Sequence, residues 1–234
     1  MTADARPTLC RLDGKRILVT QADIFMGPVL CEVFARLGAD VIADSRTLDA
    51  DPLLPQAIVD AAGRVDVLVA HLATPAPTTR ADQVEEDEWR MVFAQMVDPL
   101  PRLLRAVVPQ MRERGRGKLL VIGSASALRG IRRASSYSAA RGAQLAWVQA
   151  VGVELAADGI QVNAIAQNFV DNPTYFPPEV QANEAFQQRL KREVPLGRLV
   201  SAEEDALLAA YLCSDAADCF VGQVFPISGG WATR

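Results

Sequence analysis

Apolar residues recur along this chain in two alternating patterns, short continuous runs and longer helical repeats. The first run, Arg-Ile-Leu-Val-Thr at 16–20, is followed by a helical pattern from about Gly27 to Leu37, closed by Gly38 where a C-terminal cap belongs. A second short strand is expected at 41–43, a helix over about 51–62 that stops at Gly63, and a third strand at 67–69. Glu85, Glu86, Asp87 and Glu88 open a long helix expected to run to about Arg114. Their charge suits the positive end of the helix macrodipole, and Pro101 marks a place for a kink. A fourth strand at 118–122, an apolar helix over about 135–157, Gly159 and a fifth strand at 161–165 continue the alternation. The stretch from Ala166 to about Ala182 contains Pro173, Pro177 and Pro178 and reads as a long loop. Helices near 184–192 and 202–213 and a last strand at 223–227, before Gly229 and Gly230, complete the pattern.

Strands separated by helices predict a parallel α/β sheet with helices on both faces and a ligand site beyond the carboxyl ends of the strands. The loops after Thr20, Val69, Ile122 and Ile165 therefore hold the candidate chemistry. No repeat or interdomain linker interrupts the chain, so residues 1–234 are expected to form one domain. Within it, 1–14 reads as an N-terminal arm and 166–200 as a loop and helix closing the site.

Composition narrows the functions open to such a domain. Half of the 234 residues are apolar and 22% are charged, a balance that supports a core of its own. A net charge of −4 provides no basic field for phosphates, and Arg112, Arg114, Arg116 and Lys118 read as a solvated turn. Nucleic acid and membrane surfaces are thus set aside as partners. One histidine and four cysteines without a CxxC pair make a metal site unexpected and reduced thiols the simplest reading. The first seven residues hold Asp4 and Arg6 rather than an apolar leader, and no run reaches membrane length, so the expected location is cytoplasmic. The chain stops just past Trp231, so no C-terminal extension is expected to complete a neighbouring site.

The strongest constellation follows strand four. Ser124 stands at the strand end, and Tyr137 and Arg141 follow on the next helix in the arrangement Ser-x12-Tyr-x3-Arg. Four residues apart, phenol and guanidinium share one helical face, and a permanent positive charge one turn away favours loss of the phenolic proton. Tyr137 is then a candidate general base, with Ser124 holding a substrate oxygen opposite it. Taken singly, each residue also has an ordinary reading, as a surface cation–ring contact or a capping serine.

Serine, tyrosine and a basic residue in this order resemble the active site of the short-chain dehydrogenases, whose order of elements matches nearly the whole chain. The resemblance implies a single-domain, Rossmann-like, doubly wound sheet. It also exposes departures. That family usually has lysine where Arg141 stands, and arginine biases the phenol by charge but releases no proton. The family's first turn resembles Thr-Gly-x-x-x-Gly-x-Gly, whereas residues 20–27 read Thr-Gln-Ala-Asp-Ile-Phe-Met-Gly. Gln21 and Phe25 replace two glycines and Asp23 adds negative charge, so a dinucleotide is expected to clash and be repelled. Ala70-His71-Leu72-Ala73 stands in place of Asn-Asn-Ala-Gly, and Met96 in place of a catalytic asparagine. Asp44, where an acidic residue would bind a ribose, is read as a surface carboxylate, and His71 as a polar neighbour without a catalytic role.

Thr-x4-Phe-x-Gly together with Ser-x12-Tyr-x3-Arg resembles one branch, the halohydrin dehalogenases. That resemblance implies no organic cofactor and no metal, vicinal haloalcohols as substrates, and epoxide opening by halide, azide, cyanide or nitrite in reverse. It implies a halide pocket from Phe25, Gln167, Asn168, Phe169, Val170 and Phe176, with backbone N–H donors at Phe169 and Val170 and aromatic walls. It also implies a homotetramer built on the two long helices. Two other readings stay open: an atypical NAD(P)-dependent reductase, and a non-catalytic binding protein of dehydrogenase shape.

Overall fold

The runs found in the apolar pattern become the strands of one sheet. In the computed structural model, which describes residues 10–233, they are β1 (Arg16–Thr20), β2 (Asp40–Asp44), β3 (Val67–His71), β4 (Gly117–Ser124), β5 (Ile160–Gln167) and β6 (Val224–Ile227). They pair in parallel in the order β2-β1-β3-β4-β5-β6. Every residue of β3 and β4 is buried, as central strands covered on both faces require. Alternate strand residues feed two cores. Ile17, Val19, Val67 and Ile122 pack with α1 (Gly27–Arg36) and α8 (Ala202–Cys213). Leu18, Leu68, Leu119 and Val121 pack on the other face with α2 (Leu54–Ala62), α4 (Pro99–Glu113) and α5 (Ser135–Leu155). The sheet is thus doubly wound, as expected.

The long helix expected over 86–114 is two. α3 (Glu86–Met96) ends before Val97 and Asp98, and α4 begins with Pro99. Proline has no N–H to continue the helical ladder, so the break falls at Pro99, while Pro101 sits harmlessly in the first turn of α4. The Met96 carbonyl exposed by this break accepts a hydrogen bond from Gln144 Nε2 of α5 at 2.7 Å. The loop expected from Ala166 starts two residues later, because Ala166 and Gln167 still pair with Pro226 and Ile227. Further along, α6 (Pro178–Gln181) interrupts it before α7 (Glu184–Glu193). Of the expected N-terminal arm, residues 1–9 lie outside the described residues, and Leu12 is fully buried with its N–H donating to Leu37 O at 2.9 Å.

One close approach sets how α5 lies on the sheet. A Cβ at Gly152 would meet Gly222 N at 2.5 Å and Val162 O at 2.9 Å, both backbone atoms. Gly152→Ala is expected to destabilise the protein by about 3 kcal/mol, the upper range for overpacking. Gly142→Ala on the same helix, where no atom lies within 4 Å, should instead stabilise by about 0.5–1 kcal/mol through helix propensity. Urea unfolding of the two variants reads both signs.

Candidate active site

β4 and α5 bring the three candidate catalytic residues together beyond the carboxyl edge of the sheet. Ser124 ends β4, opposite Gln167 of β5, and its Oγ accepts the Ser126 N–H at 3.2 Å. Tyr137 is the third residue of α5, and Arg141 follows one turn later. All three are buried. Arg141 Nη1 donates to Leu72 O, Ile122 O and Gln144 Oε1 at 3.1, 3.0 and 2.9 Å. Its Cζ stands 5.1 Å from the centre of the Tyr137 ring. Arginine thus clamps the ends of β3 and β4 while presenting positive charge to the face of the phenol.

The other predicted residues meet these three. Phe25, Gln167, Asn168, Phe169, Val170 and Phe176 all line the same cavity of about 320 Å³ as Ser124, Tyr137 and Arg141. Phe25 and Phe169 both have left-handed backbones, with φ of 48° and 51°. Non-glycine residues in that region cost free energy that the surroundings must offset, and such strain collects at functional sites. Phe169 stacks near Phe176 at 6.1 Å and edge-on to Trp231 at 6.0 Å. One expectation needs revision. The Phe169 N–H, read as an anion donor, is taken by Asn168 Oδ1 at 2.9 Å, because the short side chain folds back on its neighbour. An anion bound there has to displace that oxygen.

Several residues at the cavity escaped the sequence reading. Tyr175 lines it with its ring 5.5 Å from that of Phe25. Its hydroxyl accepts the Ala76 N–H at 3.1 Å and lies 3.4 Å from Thr74 O. Burial, and then Tyr137, push the Tyr175 phenol up to about 12, so it remains a donor at neutral pH. It is one of three tyrosines in the chain and adjoins Phe176, which was the available signal. Arg189 of α7 also lines the cavity, its guanidinium 5.4 Å over the Phe169 ring. Glu88 lies in the first turn of α3, as its reading as helix-start charge requires, and also accepts hydrogen bonds from Thr79 Oγ1 and Ser136 Oγ at 2.6 and 2.5 Å. It thereby ties the segment after β3 to the residue before Tyr137.

His71, at the end of β3, is buried with Nδ1 3.1 Å from Gln21 O and its ring nearly perpendicular to that of Phe25. Facing a carbonyl oxygen, Nδ1 holds the proton. Burial depresses this imidazole to about 4, so it is neutral at physiological pH. The unfolded chain takes up a proton near pH 6.5 that the folded protein refuses until about pH 4, so His71's contribution to stability is lost as pH falls through that window. The stability advantage of the wild type over His71→Asn should therefore shrink by about 2 kcal/mol between pH 7 and pH 5. Urea unfolding at the two pH values measures it.

A dinucleotide fits the first turn poorly. Gln21, at φ 46°, sends its Oε1 to the Ala73 N–H at 2.7 Å and fills the space between the ends of β1 and β3. Two N–H groups of the turn are engaged within the protein, Ala22 with Asp44 O at 3.0 Å and Gly27 with Ile24 O at 2.9 Å. Pro28 supplies none at the start of α1, and Asp23 is exposed beside it. Gln21 thus occupies the close approach that a glycine would leave to a pyrophosphate at a helix N-terminus, and Pro28 removes one of the donors there. Asp44 is less exposed than a surface carboxylate, because Arg46 covers it with Nε and Nη2 on Oδ2. Among the described residues no group of three or more His, Cys, Asp or Glu could hold a metal ion. No helix among them is long and apolar enough to cross a membrane.

Comparison with known proteins fits this geometry. The family model described as enoyl-(acyl carrier protein) reductase matches residues 10–232, and the chain belongs to the short-chain dehydrogenase/reductase family. A 2-keto-3-deoxy-L-fuconate dehydrogenase of Xanthomonas campestris is 31% identical over 95% of this chain and 81% of its own length. Among solved structures, a protein described as a dehalogenation enzyme superposes with a TM-score of 0.88 at 32% identity, covering 94% of this chain and 99% of that one. A halohydrin dehalogenase bound to ethyl (2S)-oxiran-2-ylacetate gives 0.85 at 26% identity over 94% and 98%.

Proposed function

We propose that this protein is a halohydrin dehalogenase that works without a nicotinamide cofactor. The observation that carries the reading is one cavity holding Ser124, Tyr137 and Arg141 together with Phe25 and Phe169, beside a first turn closed by the Gln21 side chain. The two dehalogenase structures among its neighbours support it.

A vicinal haloalcohol binds with its hydroxyl between Ser124 Oγ and Tyr137 Oη. Tyr137, its ring under the Arg141 guanidinium, takes the hydroxyl proton and passes it on to solvent. As that proton leaves, the alkoxide oxygen attacks the adjacent carbon from the side opposite the halogen. The C–O bond of an epoxide forms, the carbon–halogen bond breaks, and halide leaves with the electron pair into the space walled by Phe25, Phe169 and Phe176. Nucleophile and leaving group belong to one molecule, so positioning supplies much of the rate. Arg189 and the Val170 segment offer the halide positive potential at an aromatic wall. In reverse, halide, azide, cyanide or nitrite opens the epoxide from the same pocket. Assembly as a homotetramer belongs to the same reading, with Trp89 and Met91 on α3 and Val153 on α5 partly exposed on the helices concerned.

The competing reading, an NAD(P)-dependent reductase, draws on the dehydrogenase relative and on the Asp44–Arg46 pair at the end of β2. Calorimetric titration separates the two: bromide should bind saturably while NADH and NADPH give no saturable heat. Saturable dinucleotide binding without bromide binding overturns the dehalogenase reading.

A further inference from the structure

The anion pocket has a buried acid directly behind it. Asp205 lies in the first turns of α8, wholly buried beside Ala206, Ala209 and Ala210, on the helix face that meets the sheet. Its Oδ2 accepts a hydrogen bond from Gln167 Nε2 at 2.6 Å, and its Oδ1 has no hydrogen-bond partner. Gln167 is the last residue of β5, held between Ser124 and Ile227, and it lines the cavity. A carboxylate with one oxygen unsatisfied in the core is costly, and a carboxylic acid there is less so.

We propose that Asp205 is a positioning residue for the pocket, setting whether the Gln167 amide presents a donor or an acceptor to a bound anion; this rests on the anion pocket proposed above. An ionised Asp205 is acceptor-only and must take the amide Nε2, which turns Oε1 away from it and sets an acceptor against the anion. A protonated Asp205 has an O–H to donate to Oε1. The amide then turns by half a rotation and offers its N–H groups to the cavity. One proton taken up outside the cavity becomes one hydrogen bond gained inside it.

Tyr137, Tyr175, Arg141 and Arg189 also face the cavity, so the step assigned to Asp205 is the one that Asp205→Asn removes. Cys31, Glu32 and Arg36 on α1, Lys118 on β4, and Glu203, Glu204, Tyr211 and Cys213 on α8 belong to the elements packed on one another here, with Asp215 and Arg198 in the flanking turns. Arg36 pairs with Glu203, Arg198 with Glu204, Lys118 with Asp218 and Lys15 with Asp215. β5 carries no titratable side chain. Burial raises Asp205 from 3.8 to about 7, with Gln167 pulling it partly back. Its protonation therefore changes across neutral pH, with the donor-presenting form favoured below about 7.

The test is the dissociation constant of bromide, measured by calorimetry across neutral pH in the wild type, Asp205→Asn and Gln167→Leu, with epoxide formation followed in parallel. The wild type should lose about tenfold in affinity as pH rises through 7, the size of one hydrogen bond to a charged group. Both variants should bind bromide without that step, and circular dichroism should report an unchanged fold. A step that persists in Asp205→Asn overturns the assignment to this acid. A step lost in Asp205→Asn but kept in Gln167→Leu overturns the amide as its messenger. A wild type that forms epoxide and binds bromide with no step overturns the inference while leaving the dehalogenase reading intact. A wild type that neither binds bromide nor forms epoxide removes both.

Discussion

Tyr137→Phe is expected to lower epoxide formation from a haloalcohol by about 10³-fold, the range for removing a general base, with bromide affinity and thermal unfolding nearly unchanged. The hydroxyl is the only part removed. The ring remains to pack with Val92, Met96, Ala134 and Ala140 and under the Arg141 guanidinium. The loss should fall on kcat more than on KM, because Ser124 still binds the substrate oxygen while the transition state loses its proton acceptor. Retention of more than a tenth of the wild-type rate would remove Tyr137 from the mechanism. Equal loss of bromide binding would mean that the substitution damaged the pocket rather than the chemistry.

Arg141→Met is expected to cost both stability and rate. The guanidinium donates to Ile122 O and, alongside the weaker Gln144 contact, to Leu72 O. Methionine fills much of the volume but leaves those buried acceptors short of a donor, a loss of about 3 kcal/mol. The ends of β3 and β4 then lose the clamp that sets Ser124 and the segment after His71, and Tyr137 loses its neighbouring charge. Turnover should fall by about 10²-fold in whatever fraction stays folded. Arg141→Lys restores charge without the planar fork, so it should recover more rate than stability. A methionine variant as stable and as active as the wild type would show that the clamp serves neither role.

The parts of this structure legible in the sequence were those governed by local period or fixed spacing. Runs such as Leu18-Val19 and Leu119–Ile122 announced parallel strands because both faces of the sheet are covered. Ser124, Tyr137 and Arg141 were legible because strand end and helix pitch dictate their meeting, Phe25 because it replaces a glycine of a common motif, and Phe169 through the resemblance alone. The break between α3 and α4 was misplaced at Pro101 because two prolines two residues apart leave the sequence ambiguous as to which one starts a helix. Features made by folding across sequence were not legible. Gln144 caps the Met96 carbonyl 48 residues away, and Gln167 reaches Asp205 38 residues away. In the sequence Asp205 is one more acid after Glu203 and Glu204. Only the angle of α8 on the sheet turns that residue inward while its neighbours pair with arginines at the surface. Asp44 shows the same limit, since its cover by Arg46 depends on how the chain turns after β2.

The most direct test of cofactor-independent dehalogenation is halide release from 1,3-dichloro-2-propanol by the purified protein with no nicotinamide present, with the epoxide product quantified alongside. Chloride and epoxide should appear in equal amounts, at a rate that added NADH or NADPH does not change. No chloride release, together with carbonyl reduction that consumes NADH or NADPH, would contradict cofactor-independent dehalogenation and make the protein a reductase.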